Sequence, residues 1–184
     1  MSSPSASPRV RPSADGAAIV PPEEVLLRAF NDLRDELVST LLYILGNRDD
    51  AHDAAQDAFL KCWRTRAGLG DVQNLRAWIF RVGLNAAKDL QRSAWRRRAR
   101  PLLEGASMFV DRAERPDCGL ENQEDLGRLR QAITNLRPEE KEVFLLRQNG
   151  GLTYEQIAEV RSAPVGTVKT QMRAALQKLR KVLN

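Results

Sequence analysis

The 184-residue sequence is poor in the residues that staple or metallate a fold. It has two cysteines, Cys62 and Cys118, and one histidine, His52. Two thiols make no disulfide framework, and with His52 they have no metal-ligand spacing, so neither a stapled secreted fold nor a metal site is expected. Aromatic residues amount to 5% and clear period-two alternation is missing, which argues against strands and for an all-α chain. No apolar run approaches the roughly 18 residues of a membrane-spanning helix. The first 22 residues, MSSPSASPRVRPSADGAAIVPP, lack the long apolar core of a signal peptide and read as a disordered polar tail. The expectation is a cytoplasmic protein with no membrane insertion. An enzyme such as a recombinase would need a nucleophile and acidic groups gathered in a pocket. The N-terminal half offers one histidine, one cysteine and carboxylates on one helix face, so no catalysis and no cofactor are expected.

Charge is abundant, and it is segregated. The net charge is +5, yet residues 23–60 hold nine acidic and three basic groups. Residues 61–100 hold eleven basic and two acidic groups, and residues 101–125 seven acidic and two basic. Residues 126–160 balance at five each, and residues 161–184 carry six basic groups and no acidic one. Two separated basic blocks predict two contacts with a polyanion. The acidic front block predicts that this end meets something else.

Periodicity predicts a first helix over about Glu23 to Leu45, with Leu26, Phe30, Leu33, Leu37, Leu41 and Ile44 on one face and Gly46-Asn47 ending it. A second starts near Asp49 or Asp50 and runs to about Arg66, with Ala51, Ala55, Ala58, Phe59 and Cys62 inward. Its first half is crowded with Asp49, Asp50, Asp53 and Asp57, which suits a helix N-terminus. That acidic edge is either a plain solvated face or a docking surface for a basic partner. Gly68 and Gly70 predict a loop. Asn74 caps a third helix, on which Leu75, Ile79, Val82, Ala86 and Leu90 face inward. Trp78, Arg81, Asn85, Lys88, Arg92, Trp95 and Arg96 are left outside or at the edges. Rings for stacking among cations for phosphates are what single-stranded nucleic acid needs, unless Trp78 belongs to the core.

Residues 99–122 lose periodicity and predict an acidic mobile linker. A fourth helix covers about Asn122 to Leu136, with Leu126, Leu129 and Ile133 as its stripe. Pro138 opens a fifth, followed by Glu139 and Glu140, with Val143, Phe144 and Leu146 apolar. Thr153 and Gln156 make a capping box for a short sixth helix. Pro164 ends the turn after it, and Gly166-Thr167 leads into a seventh. Val168, Met172, Ala175, Leu176, Leu179 and Leu183 share one face of that helix. Thr167, Thr170, Arg173 and Gln177 take the other, with Lys169 and Gln171 on its flanks. A short helix, a turn and a longer basic helix make a helix-turn-helix whose second helix can enter a DNA major groove; the alternative is an amphipathic helix packed in a bundle.

Three stretches in order, DDAHDAAQDAFLKCW, NLRAWIFRVGLNAAKDLQR and LRPEEKEVFLLRQNGGLTYEQIAEVRSAPVGTVKTQMRAALQKL, resemble an extracytoplasmic-function sigma factor, the smallest group of bacterial sigma factors. The resemblance spans about residues 23–184. It implies two small helical domains, a second region over 23–98 and a fourth region over 123–184, joined by the linker at 99–122 and preceded by the tail at 1–22. It implies that Asp49, Asp50, Asp53, Gln56, Asp57 and Trp63 lie on the helix that docks on the clamp of core RNA polymerase, whose beta and beta-prime subunits are the expected partner. It places Asn74, Arg76, Trp78, Arg81, Asn85, Lys88, Arg92 and Arg96 at or beside the minus-ten element, where the strand is opened and a base captured. It places Thr167, Lys169, Thr170, Gln171, Arg173 and Gln177 at the minus-thirty-five element in duplex form. It also implies an anti-sigma factor as a further partner, and leaves bond-making to the polymerase.

The chain departs from the family in places. Gln171 and Ala174 stand where the family usually has arginines, and Ser162 stands where it usually has a glycine with a left-handed backbone. Gly83 sits inside the third helix at a cost of roughly 1 kcal/mol against alanine. The rival reading is an operator-binding regulator with the same helix-turn-helix, which has no use for an acidic front block and a second basic-aromatic helix.

Overall fold

The computed structural model describes residues 21–99 and 120–183, and these form helices with no strand among them. The expected tail and nearly all of the expected linker, with Cys118, lie outside the described residues. Among the described residues there are seven α-helices: α1 Pro22–Leu45, α2 Arg48–Arg64, α3 Leu75–Ala99, α4 Leu120–Thr134, α5 Pro138–Gln148, α6 Tyr154–Arg161 and α7 Val165–Leu183. The glycines after α2, expected as loop, sit in a 3-10 turn over Arg66–Asp71.

Local chemistry sets most of the boundaries. Pro22 starts α1, and Gly46, at φ 74°, closes it with its N–H donating to the Leu42 carbonyl at 2.8 Å. Asn47 Oδ1 then accepts from the Asp49 and Asp50 amides at 2.8 and 3.3 Å, so two residues, Gly46 and Asn47, end one helix and start the next. Asn74 Oδ1 accepts from the Ala77 amide at 2.8 Å and starts α3 as expected. Glu140 accepts from the Arg137 amide at 3.2 Å at the start of α5. The Thr153–Gln156 box is closed in both directions, at 2.9 and 3.2 Å. Ser162, after α6, is the single non-glycine residue with positive φ among those described, at 51°.

Helices α1, α2 and α3 pack on one another, and α4, α5 and α6 each pack on α7. The two groups also meet: α3 packs on α6 and α1 on α5. Leu26, Leu37, Leu41, Ala58, Ile79 and Phe80 are therefore continuous with Val143, Leu146, Ile157, Val168 and Met172 in a single core. A smaller cluster of Ala132, Ile133, Leu136, Leu145, Ala175 and Leu179 lies under α4. Gly83 allows the close approach of α3 to α1: a Cβ there would sit 2.8 Å from Leu37 Cδ1. Polar groups seal the seam between the halves. Asn149 Nδ2 donates to Thr40 Oγ1 at 3.3 Å, and Thr40 is fully buried.

The predicted stripes are largely inside, with informative exceptions. Ala55, Phe59, Leu75, Val82 and Leu90 are only half-buried. Leu126 is exposed. Phe80, Leu84 and Ala87 are buried on α3 because that helix is covered by α1 and α2 on one side and by α6 on another.

Candidate nucleic-acid interface

Three surfaces carry the residues singled out by sequence. On α2, Asp49, Asp50, Asp53 and Gln56 are exposed along one edge. The helix has Ala51, Ala54 and Ala58 buried, so its small face is pressed on the bundle and the carboxylates are left to solvent. Asp57 is half-buried and pairs with Lys61 at 2.8 Å. Lys61 also reaches Asp89 of α3 at 3.5 Å, and the hydrogen bond it donates to Asp57 is the main reason its ammonium is held above its ordinary value. Trp63 is half-buried, tilted against Phe59 at 5.9 Å, with the Arg66 guanidinium 4.8 Å from its ring. Cys62 is fully enclosed and its thiol is pushed up to about 12 by burial, so it stays neutral and unreactive.

On α3 the predicted residues separate into two sets. Arg81, Asn85, Arg92 and Trp95 are exposed at spacings of four, seven and three residues, which keeps them on one side of the helix. Trp95 is 71% exposed, the largest unpacked apolar group among the described residues. Arg92 pairs loosely with Asp89 at 3.6 Å. The second set is already engaged. Asn74 is spent on the helix cap. Arg76 donates to the Gly150 carbonyl at 2.9 Å. Lys88 pairs with Glu142 of α5 at 3.1 Å. Trp78 is half-buried and packed against the core rather than standing free. The side chain of Arg96 lies outside the described residues.

On α7, Thr167, Lys169, Thr170, Arg173 and Gln177 are exposed, and Val168, Met172, Ala175 and Leu179 are buried. The amphipathic split expected for a groove-entering helix is therefore present. Lys169 Nζ lies 5.9 Å from the Tyr154 ring, and Thr170 Oγ1 donates to the Gly166 carbonyl at 2.9 Å. Gln171 differs from its neighbours: it is half-buried, and its Oε1 accepts from Arg161 at the end of α6. Arg161 in turn donates from Nε to Glu142 Oε2 at 3.0 Å, where both side chains are nearly buried. Sequence reading had no role for Glu142 or Arg161, because neither belongs to a periodic stripe and the partners are 19 residues apart. Among the described residues no group of three or more His, Cys, Asp or Glu side chains could hold a metal ion. No helix described is long and apolar enough to cross a membrane.

Family models match both halves: "Sigma-70 region 2" over residues 29–97 and "Sigma-70, region 4" over residues 126–179. The chain is 28% identical over 168 residues to the RNA polymerase sigma-H factor of Pseudomonas aeruginosa, covering 85% of this chain and 86% of that one. It is 30% identical over 147 residues to the ECF RNA polymerase sigma-E factor of Haemophilus influenzae, covering 73% and 75%. Among solved structures, the fold resembles the sigma factor RpoE of Bartonella quintana in complex with the anti-sigma factor NepR. The TM-score is 0.63 at 22% identity, over 88% of this chain and 95% of that one. It also resembles CnrH in complex with the cytosolic domain of CnrY, with a TM-score of 0.61 at 22% identity over 88% of each chain.

Proposed function

The chain belongs to the extracytoplasmic-function group of the sigma-70 family, and from that membership we propose how its three surfaces share the work of promoter recognition. It is an alternative sigma factor, binding core RNA polymerase and directing it to promoters. The family consists of initiation factors rather than enzymes, and the polymerase makes the bonds.

The acidic edge of α2, with Asp49, Asp50, Asp53, Gln56, Asp57 and Trp63, docks on the polymerase clamp. Exposed carboxylates on a helix whose other face is locked into the bundle form a rigid surface for a basic partner. On α3, Arg81, Asn85 and Arg92 flank the minus-ten element, with Trp95 offering a ring beside them and Trp78 a partly covered one. The exposed face of α7, with Lys169, Thr170, Arg173 and Gln177, enters the major groove at the minus-thirty-five element. The observation that carries this division is spatial: exposed acid on α2, and exposed cations on α3 and α7, occupy separate helices.

Arg76 and Lys88 hold the two halves together in this structure. Both are assigned to the minus-ten side, so promoter binding exchanges their protein partners for phosphate. An anti-sigma factor is a further partner: RpoE and CnrH, which share this fold, were each solved with a second protein bound. The protein works in the cytoplasm, where polymerase and promoter are. An operator-binding regulator would leave the α2 edge without a use.

Paired substitutions test the assignment. Asp53→Lys is expected to abolish co-elution with core polymerase while leaving the melting temperature unchanged. Arg173→Ala is expected to weaken binding to duplex promoter DNA and leave co-elution intact, with the salt slope of DNA binding reduced by about one. Unchanged co-elution of Asp53→Lys, or equal loss of both activities in Arg173→Ala, overturns the corresponding surface.

A further inference from the structure

Gln171 occupies a position where the resemblance leads one to expect arginine, and its environment changes what a glutamine there can say to a base. Arginine has donors only, so the atom that Arg161 meets on Gln171 must be the oxygen. Arg161 is itself fixed by Glu142 of α5 at 3.0 Å, a contact within the C-terminal half that does not depend on Lys88. Arg161 and Glu142 side chains are 10% and 12% exposed, so this chain of contacts is shielded from water. It leaves the two N–H groups of Gln171 for another acceptor.

A free glutamine carries both a donor and an acceptor and pairs with adenine through N7 and the N6 amino group. The amide oxygen has a second lone pair, but an oxygen turned onto a nearly buried arginine is not aimed at a base edge, which leaves the amino group as the part of Gln171 able to meet one. Guanine presents two acceptors, N7 and O6, in the major groove, whereas adenine presents one acceptor and a donor. We propose that Arg161 is a positioning residue for minus-thirty-five recognition: by capturing Gln171 Oε1 it makes Gln171 a donor-only reader that selects guanine over adenine. The inference rests on the reading of α7 as the minus-thirty-five helix. It assigns a specificity role to a side chain on α6 that touches no DNA.

The test uses the full chain as holoenzyme with core polymerase on promoter fragments randomised across both boxes, with transcripts or bound fragments sequenced. Gln171→Ala is expected to erase base preference at one position of the minus-thirty-five box, which identifies the base pair read. At that position the unmodified protein prefers guanine. Arg161→Met is expected to lower the guanine-to-adenine ratio there by about tenfold, with all other positions unchanged. Arg161→Lys, which can still donate to Oε1, is expected to keep guanine. Should Arg161→Met fail to melt cooperatively, Arg161→Gln takes its place. This variant can donate to Glu142 but offers Gln171 either a donor or an acceptor, so an intermediate ratio is expected. An unchanged ratio in Arg161→Met beside a selective loss in Gln171→Ala overturns the proposal and leaves the α7 assignment standing. So does an even loss across all positions in Arg161→Met. A silent Gln171→Ala overturns the contact itself, and the proposal with it.

Discussion

Ser162 holds the turn of the helix-turn-helix in a conformation that serine disfavours. Its φ of 51° and ψ of 48° lie in the left-handed region, it is exposed, and its amide closes α6 by donating to the Glu159 carbonyl at 3.2 Å. For a residue with a Cβ this backbone costs about 1–2 kcal/mol. Glycine removes that cost and adds about 0.5–1 kcal/mol of unfolded-state entropy. Ser162→Gly is therefore expected to stabilise the protein by about 0.5–1 kcal/mol. For a chain of this length that corresponds to a rise of about 1–4 °C in melting temperature. Ser162→Ala keeps the Cβ and the strain, so it serves as the control and is expected to show no rise. Thermal unfolding of the full chain by circular dichroism measures both. A glycine variant that melts at or below the serine protein, with the alanine variant alongside, would refute the reasoning. Affinity for duplex promoter should stay the same, since the angle between α6 and α7 is already set.

Two other substitutions probe the packing and charge beneath the interface. Gly83→Ala gains about 1 kcal/mol of helix propensity, but its Cβ lands 2.8 Å from Leu37 Cδ1 in the core, where overpacking costs about 1–3 kcal/mol. A lower denaturant midpoint is expected, and a raised one would mean that Leu37 moves aside freely. At Glu140 burial pushes the carboxyl up, yet the Lys178 ammonium at 2.6 Å and the Arg137 amide outweigh it and hold the group below its ordinary value. A depressed folded value means stability that is present above the unfolded carboxylate range and lost as pH falls through the folded value. The stability gap between the native protein and Glu140→Gln should therefore narrow on acidification, and a constant gap would remove Glu140 from the acid response.

Much of the fold was legible because boundaries are written in single residues. Pro22, Gly46, Asn74, Pro138 and Thr153 each act within four residues of themselves, so their effect needs no knowledge of the tertiary structure. The stripe of α7 was legible because that helix has one covered face. The face of α3 was less so: a helix enclosed from more than one side buries Phe80, Leu84 and Ala87 outside the predicted stripe. Least legible were Arg76 and Lys88. As isolated cations they match a phosphate-binding pattern, and only the fold brings the Gly150 carbonyl and Glu142, 74 and 54 residues away, to meet them. Trp78 gave the same ambiguity in apolar form, since a ring at the rim of a bundle has one side in and one side out.

Thr40 is a natural sensor of how this molecule is deployed. It is fully buried at the seam, with Asn149 of the other half donating to its hydroxyl. Stretching the protein along a promoter, with its ends on distant boxes, would wet that hydroxyl together with the leucine and isoleucine surface around it. The unbound chain should then melt as one body rather than as two beads on a string. A polymerase that spreads the ends apart has to offer its own greasy surface in exchange.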